Sequence, residues 1–208
     1  MTKNAARRRS RGYPAIEGPV TLSWRSLTRE IRACRLCPLG SRREHAVTYR
    51  GGPHPWLVFV GEAPGAQEDR EARPFVGRGG RLLDRAIERA GLREGEYGIV
   101  NLLKCRPPRN RFDLAAARVC RPYLDRQLDL LAPDAVVSLG RHALRALDGS
   151  APPITRAAGI PRRQNSTLPL FPMIHPAAGL RSRAMMTRWN ADVLRLRDWV
   201  VERRSQRV

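Results

Sequence analysis

The stretch VFVGEAPGAQEDREARPFVG, residues 58–77, decides how the rest of the chain is read. A short apolar run, Leu57-Val58-Phe59-Val60, breaks into Gly61-Glu62-Ala63-Pro64-Gly65, passes an acidic turn and returns through Pro74-Phe75-Val76-Gly77. An apolar run bounded by turn signals reads as a buried strand. A glycine-rich loop at its end lies where open α/β sheets hold their ligands. The glycines let main-chain amides approach a ligand, because no Cβ intervenes. Such a backbone, with one carboxylate and one aromatic ring, suits a flat polar molecule, although a glycine turn after a strand also serves as plain punctuation.

Outward from this loop, strands and helices alternate. Leu82, Leu83, Ala86, Ile87 and Ala90 form one helix face, with Gly91 as its C-terminal cap. A second strand reads from about Tyr97 to Leu103 and delivers Asn101, Lys104 and Cys105; Pro107-Pro108-Arg109-Asn110-Arg111 then makes a stiff basic loop. Asp113 caps the next helix, which carries Val119, Cys120, Leu124, Leu128 and Leu131 and is expected to kink at Pro122. Asp134 to Gly140 is a third strand, followed by a short helix through Ala143, Leu144 and Leu147. Residues 148–168 are rich in Pro, Gly and Arg and show no assignable element. Leu170 to Ile174 is a fourth strand ending in His175-Pro176, and Met186, Trp189, Val193, Leu196 and Val200 mark a final amphipathic helix. Upstream, Ser23 caps a helix bearing Trp24, Leu27 and Ile31 that runs into Cys34, and residues 40–55 read as a polar turn. Four alternations of strand and helix predict a three-layer α/β/α sandwich with a central, largely parallel four-stranded sheet. One domain is expected over residues 21–208, after a disordered basic arm over 1–20.

The formal net charge is +20 over 208 residues, and only Lys3 and Lys104 among the basic residues are lysines. Genome composition can favour arginine over lysine, but it does not explain the excess over Asp and Glu. A polyanion partner follows, and nucleic acid above others, because guanidinium groups fork onto phosphate and stack on bases. No run reaches the roughly 18 apolar residues of a membrane span. The basic N-terminus lacks the apolar segment of a secretory signal, so a cytoplasmic monomer is expected.

The cysteines form one pattern, Cys34-x2-Cys37 and Cys105-x14-Cys120. In a cytosolic chain four thiols invite a metal rather than disulfides, although separate buried cysteines would give the same count. Structural zinc and a cubane iron–sulfur cluster both accept four thiolates. The wide second spacing tilts the choice mildly towards iron and sulfur. Four thiolates leave the metal no open position for substrate, which implies a structural or DNA-positioning role.

The cysteine pattern, GEAPGAQED at 61–69, PFVG at 74–77, NLLKCRPPRNR at 101–111 and HPAAGLR at 175–181 together resemble the family 4 uracil-DNA glycosylases, in order and spacing, over about residues 27–200. The resemblance implies the uracil-DNA glycosylase sandwich, a [4Fe-4S] cluster on Cys34, Cys37, Cys105 and Cys120, and hydrolysis of the bond between deoxyribose and uracil in DNA. It makes Phe75 the ring on which a flipped uracil stacks, Asn101 the reader of uracil N3–H and O4, and His175 the donor to uracil O2. Gly61, Ala63 and Gly65 would line the pocket with backbone, and Glu62 would steer the attacking water. The better-known uracil glycosylases carry an aspartate where Ala63 stands. Two further positions depart from pattern: Gly179 replaces a bulky wedge, for which Leu180 is the expected substitute, and Gly65 replaces a thymine-excluding tyrosine, a task that falls to Glu68. Arg106, Arg109, Arg111, Arg181 and Arg183 are the expected phosphate contacts. Rival readings are a glycosylase of this fold preferring hypoxanthine, one that stays bound to its abasic product, and a noncatalytic iron–sulfur module for single-stranded nucleic acid. Residues 106–113 hold no histidine of the kind the covalent subgroup carries.

Overall fold

The computed structural model describes residues 23–163 and 168–207, so the expected arm over 1–20 lies outside it. Four parallel strands form the centre: β2 (Leu57–Gly61), β3 (Tyr97–Asn101), β4 (Ala135–Leu139) and β6 (Pro169–Met173). They are the four expected from sequence. Two short strands flank them antiparallel, β1 (Arg50–Gly51) on β3 and β5 (Arg162–Arg163) on β6, giving the order β1-β3-β2-β4-β6-β5. Two residues are too few to show a period, which is why the sequence presents these segments only as turn or unassigned chain. Their pairing covers the edges of the parallel core.

Helices cover both faces, so β2 is apolar at successive positions and Leu57, Val58, Phe59 and Val60 are all fully buried. On one face Leu57 and Phe59 join Ile99, Val137 and Phe171 beneath α3 (Arg78–Arg89) and α8 (Arg183–Ser205). On the other, Val58, Val60, Val100 and Val136 pack with Leu27 and Ile31 of α1 (Trp24–Ala33), Leu124 of α4 (Leu114–Leu131) and Leu144 of α5 (Arg141–Leu147). Each such side chain contributes about 1.5–3 kcal/mol on burial. The helix starts follow their caps: the side chains of Ser23, Asp113 and Ser182 accept from main-chain N–H groups of α1, α4 and α8.

Two local expectations change. The acidic turn after Gly65 is a helix, α2 (Ala66–Glu71), with Gly65 at its N-cap. The chain at 148–168, without an assignable element in sequence, contains α6 (Ile154–Ala157) before β5. Helix α4 carries Pro122 within one element, its two flanks held by the same buried face.

The order of the strands places the site. The chain leaves β2 for β3 on one side, then crosses to β4 on the other, so the carboxyl ends of β2 and β4 border a topological switch point. Glu62, Asn101, Gly140 and His175 follow or end the four parallel strands at this edge. The last of these is the N-cap of α7 (Pro176–Gly179). No helix among the described residues is long and apolar enough to cross a membrane.

Candidate active site

Gly61, Phe75 and Asn101 meet at one point. A Cβ on Gly61 would stand 2.3 Å from Asn101 Oδ1 and 2.5 Å from the Phe75 ring, so glycine is what lets the ring and the carboxamide close on the strand end. Asn101 is 1 % exposed, and among the described residues its Oδ1 is buried without a hydrogen-bond partner. A buried, unpaired acceptor is costly, by about 1–3 kcal/mol. It is satisfied by any ligand that presents a donor there.

Phe75 sits in the left-handed region, at φ 54°, and is held from several sides. Arg50 donates to its carbonyl at 2.8 Å and forms an ion pair with Asp84 of α3. Gly80 packs directly on the same carbonyl; a Cβ there would lie 1.9 Å from the oxygen. Glu68 closes the loop: one carboxylate oxygen accepts from Gly65 N at 3.1 Å, the other from Val76 N at 3.0 Å and Gly77 N at 2.8 Å. The residue expected to exclude the thymine methyl thus has both oxygens on main-chain amides, where it joins the two arms of the loop. Neither Arg50 nor Gly80 is distinguishable in sequence, because their partners are remote in the chain.

A cavity of about 300 Å³ opens beside this slot, lined by Glu62, Arg141, Ile154, Ile174, His175 and Arg181 among others. The Glu62 carboxylate accepts from His142 N at 3.1 Å, spanning the crevice between the ends of β2 and β4. Burial raises its pKa above the ordinary carboxylate value, against the opposing pull of the His142 amide and of Arg141 and Arg181. The His175 ring lies 5.9 Å from that of Phe75. Its Nδ1 accepts from Ala177 N at 3.2 Å, which leaves Nε2 to carry the hydrogen of the neutral ring. Burial, with Arg181 nearby, lowers the pKa of His175 to about 4, so the ring is neutral at physiological pH. Arg141 and His142 follow β4 without a recognisable motif, and sequence reasoning missed them. His142 also stacks on Phe112 at 3.9 Å, tying the basic loop after Cys105 to the carboxylate's anchor.

Ala63 packs partly buried against the α1/α4 face. Leu180, the expected wedge, is half-buried against the α3/α8 core, and Gly179 lies under Trp189. Among the expected phosphate contacts, Arg181 borders the cavity, Arg106 bonds to Asn110 at 2.9 Å, and Arg109, Arg111 and Arg183 are exposed.

The four thiols converge away from the slot. Cys34, Cys37, Cys105 and Cys120 all line one small cavity together with Arg43, Lys104 and Tyr123. Arg43 donates to Cys105 Sγ at 2.9 Å. Burial pushes the Cys120 thiol up to about 11 and Cys105 above its ordinary value, while Lys104 and Arg43 respectively pull the other way.

The α/β sheet brings a ring, a carboxamide and a neutral imidazole to its carboxyl edge, and the family model of the uracil DNA glycosylase superfamily matches residues 48–195. The chain is 36% identical over 188 residues to a type-4 uracil-DNA glycosylase of Sulfurisphaera tokodaii, covering 86% of each protein. It is also 36% identical over 160 residues to one of Thermotoga maritima, covering 76% of this chain and 83% of that one. A type-5 uracil-DNA glycosylase of Thermus thermophilus is 33% identical over 150 residues, covering 56% of this chain and 68% of that one. The chain belongs to the uracil-DNA glycosylase superfamily, in its type-4 family.

Proposed function

We propose that the protein excises uracil from DNA by hydrolysing the N-glycosidic bond and leaving an abasic site. The observation that carries this reading is the buried, unpartnered Oδ1 of Asn101 beside the Phe75 ring. Uracil presents a donor at N3 and an acceptor at O4, which a carboxamide matches; cytosine presents the reverse. The base must leave the helix to reach such a slot, and stacking on Phe75 contributes about 1–3 kcal/mol to holding it there.

Breaking the bond sends its electron pair to N1 of the departing uracil and leaves positive charge on the sugar. The neutral His175, with hydrogen on Nε2, donates to uracil O2 and stabilises the developing anion. Glu62, fixed at one oxygen by the His142 amide, steers a water towards the sugar carbon and stabilises the positive charge. Glu68 serves by bracing the loop that carries Phe75. Arg106, Arg109, Arg111, Arg181 and Arg183 bind phosphate around the opening, and Leu180 fills the space that the base vacates.

The four thiols fit a [4Fe-4S] cluster. They share a cavity with two cations, Arg43 and Lys104, which suits an anionic thiolate assembly. When bound, the cluster supplies a crosslink among α1, the basic loop and α4.

Incubation with a single-uracil oligonucleotide, followed by alkali to cut abasic sites, tests the activity. Cutting at uracil and not at cytosine, thymine or hypoxanthine is the expected result; cutting only at hypoxanthine, or binding without cutting, overturns it.

A further inference from the structure

We propose that Lys104 is a positioning residue that couples the four-thiol site to uracil recognition, an inference that rests on reading those thiols as a metal-cluster site. Lysine is rare in this chain, yet one stands at the centre of the fold, 1 % exposed. An ammonium removed from water is strongly destabilised unless it is paired. Lys104 is placed to serve two sites at once. Its Nζ donates to the main-chain carbonyl of Asn101, the residue whose side chain meets the base. The same side chain lines the cavity of Cys34, Cys37, Cys105 and Cys120, and its charge and main-chain N–H offset part of the rise that burial causes in the Cys120 pKa. Its carbonyl accepts from Val47 N at 2.8 Å, which fixes the backbone between the two sites.

The chemistry explains why a lysine stands here. An ammonium has three donors and Asn101 takes one. Thiolates bound to a metal are full anions, and they offer acceptors and charge for the remainder. A compact point charge on a flexible stem serves both the thiols and the Asn101 carbonyl, while the Arg43 guanidinium meets Cys105 Sγ. When the anionic assembly is present, the ammonium is held between it and the Asn101 carbonyl, and the carboxamide is held in register with Phe75. When it is lost, the buried cation loses its counter-charge and its hold on Asn101 loosens. Linkage makes the effect reciprocal, so uracil bound at Asn101 stabilises the loaded thiol site.

The test uses the intact, metal-loaded protein. Loss of metal to a chelator is followed with and without saturating free uracil, in wild type and in Lys104→Met, and iron and acid-labile sulfide are quantified beforehand. In wild type uracil is expected to slow the loss by about fivefold or more. In Lys104→Met the loss is expected to be about tenfold faster, with no protection by uracil. A wild-type protein that uracil does not protect overturns the proposal, as does Lys104→Met with protection intact. Should that variant fail to fold, Lys104→Gln, which keeps a donor but no charge, is measured in its place and read the same way. Zinc in place of iron and sulfide overturns the cluster reading, while zinc release under the same conditions still judges Lys104.

Discussion

At Asn101 and His175 the chemistry is decided atom by atom. Replacing Asn101 by Asp substitutes a group that, when protonated, donates to cytosine N3 and accepts from its amino group. The uracil-to-cytosine ratio of kcat/KM should then fall by about tenfold or more, since each mismatched buried group is worth about 1–3 kcal/mol and about 1.4 kcal/mol is a factor of ten. Single-turnover kinetics on matched oligonucleotides measure this, and an unchanged ratio removes Asn101 from base recognition. His175 and Glu62 divide the pH dependence. With its pKa lowered to about 4, His175 stays a neutral Nε2–H donor through mildly acidic solution. The acid limb of kcat/KM therefore belongs to Glu62, whose pKa is raised by burial: activity falls as pH drops through that value, and the limb disappears in Glu62→Gln. His175 acts on stability instead. Between its ordinary value of 6.5 and about 4 the unfolded chain binds a proton that the folded chain refuses, so stability declines on acidification across that window. Urea melts of His175→Asn should show a shallower decline over the same range.

At the scale of elements, the loop from β2 to α3 is a clamp rather than a string of glycines. Glu68 takes three main-chain N–H groups from both arms, so Glu68→Ala releases Val76 and Gly77 together with the backbone that holds Phe75. Hydrogen bonds to a charged group are worth about 1.5–3 kcal/mol net, and a loss of that size in unfolding free energy is expected, with a rise in KM larger than the fall in kcat. Glu68→Gln keeps two acceptors on one oxygen and should recover part of both. A variant as active and as stable as wild type would show that Phe75 is placed without this brace. The motif made the loop legible and the glycines suggested close approach. The partners of Glu68 were not legible, because a carboxylate in sequence carries no mark of whether it faces substrate or backbone. The helix over Ala66–Glu71 was hidden for a similar reason: six residues hold too few turns for an apolar period.

Over the whole molecule the dominant quantity is charge. With +20 formal charges and arginines around the cavity, DNA affinity should fall steeply with salt, log K decreasing in proportion to the number of phosphates neutralised. Arg181→Ala, at the cavity rim, should reduce that slope by about one. Arg197→Ala, which lies about 21 Å further along α8 than Arg183 at 1.5 Å per residue and pairs with Asp198, should leave it unchanged. Equal slopes for the two variants would mean that binding does not centre on the cavity. The sequence by itself determined the four parallel strands and their covering helices, because apolar runs and caps are local signals that survive without coordinates; Phe75, Asn101 and His175 were singled out through the resemblance of their motifs. The opening stretch, residues 58–77, was the clearest of them. Only the tertiary structure decided that Asn101 Oδ1 is left unpaired, that Nδ1 of His175 is occupied, that Glu68 braces the loop, and that Lys104 stands between the thiols and the base slot. These are relations between residues distant in the chain or bonds set by local backbone geometry, and they exist only once the sheet has brought four strand ends to one edge.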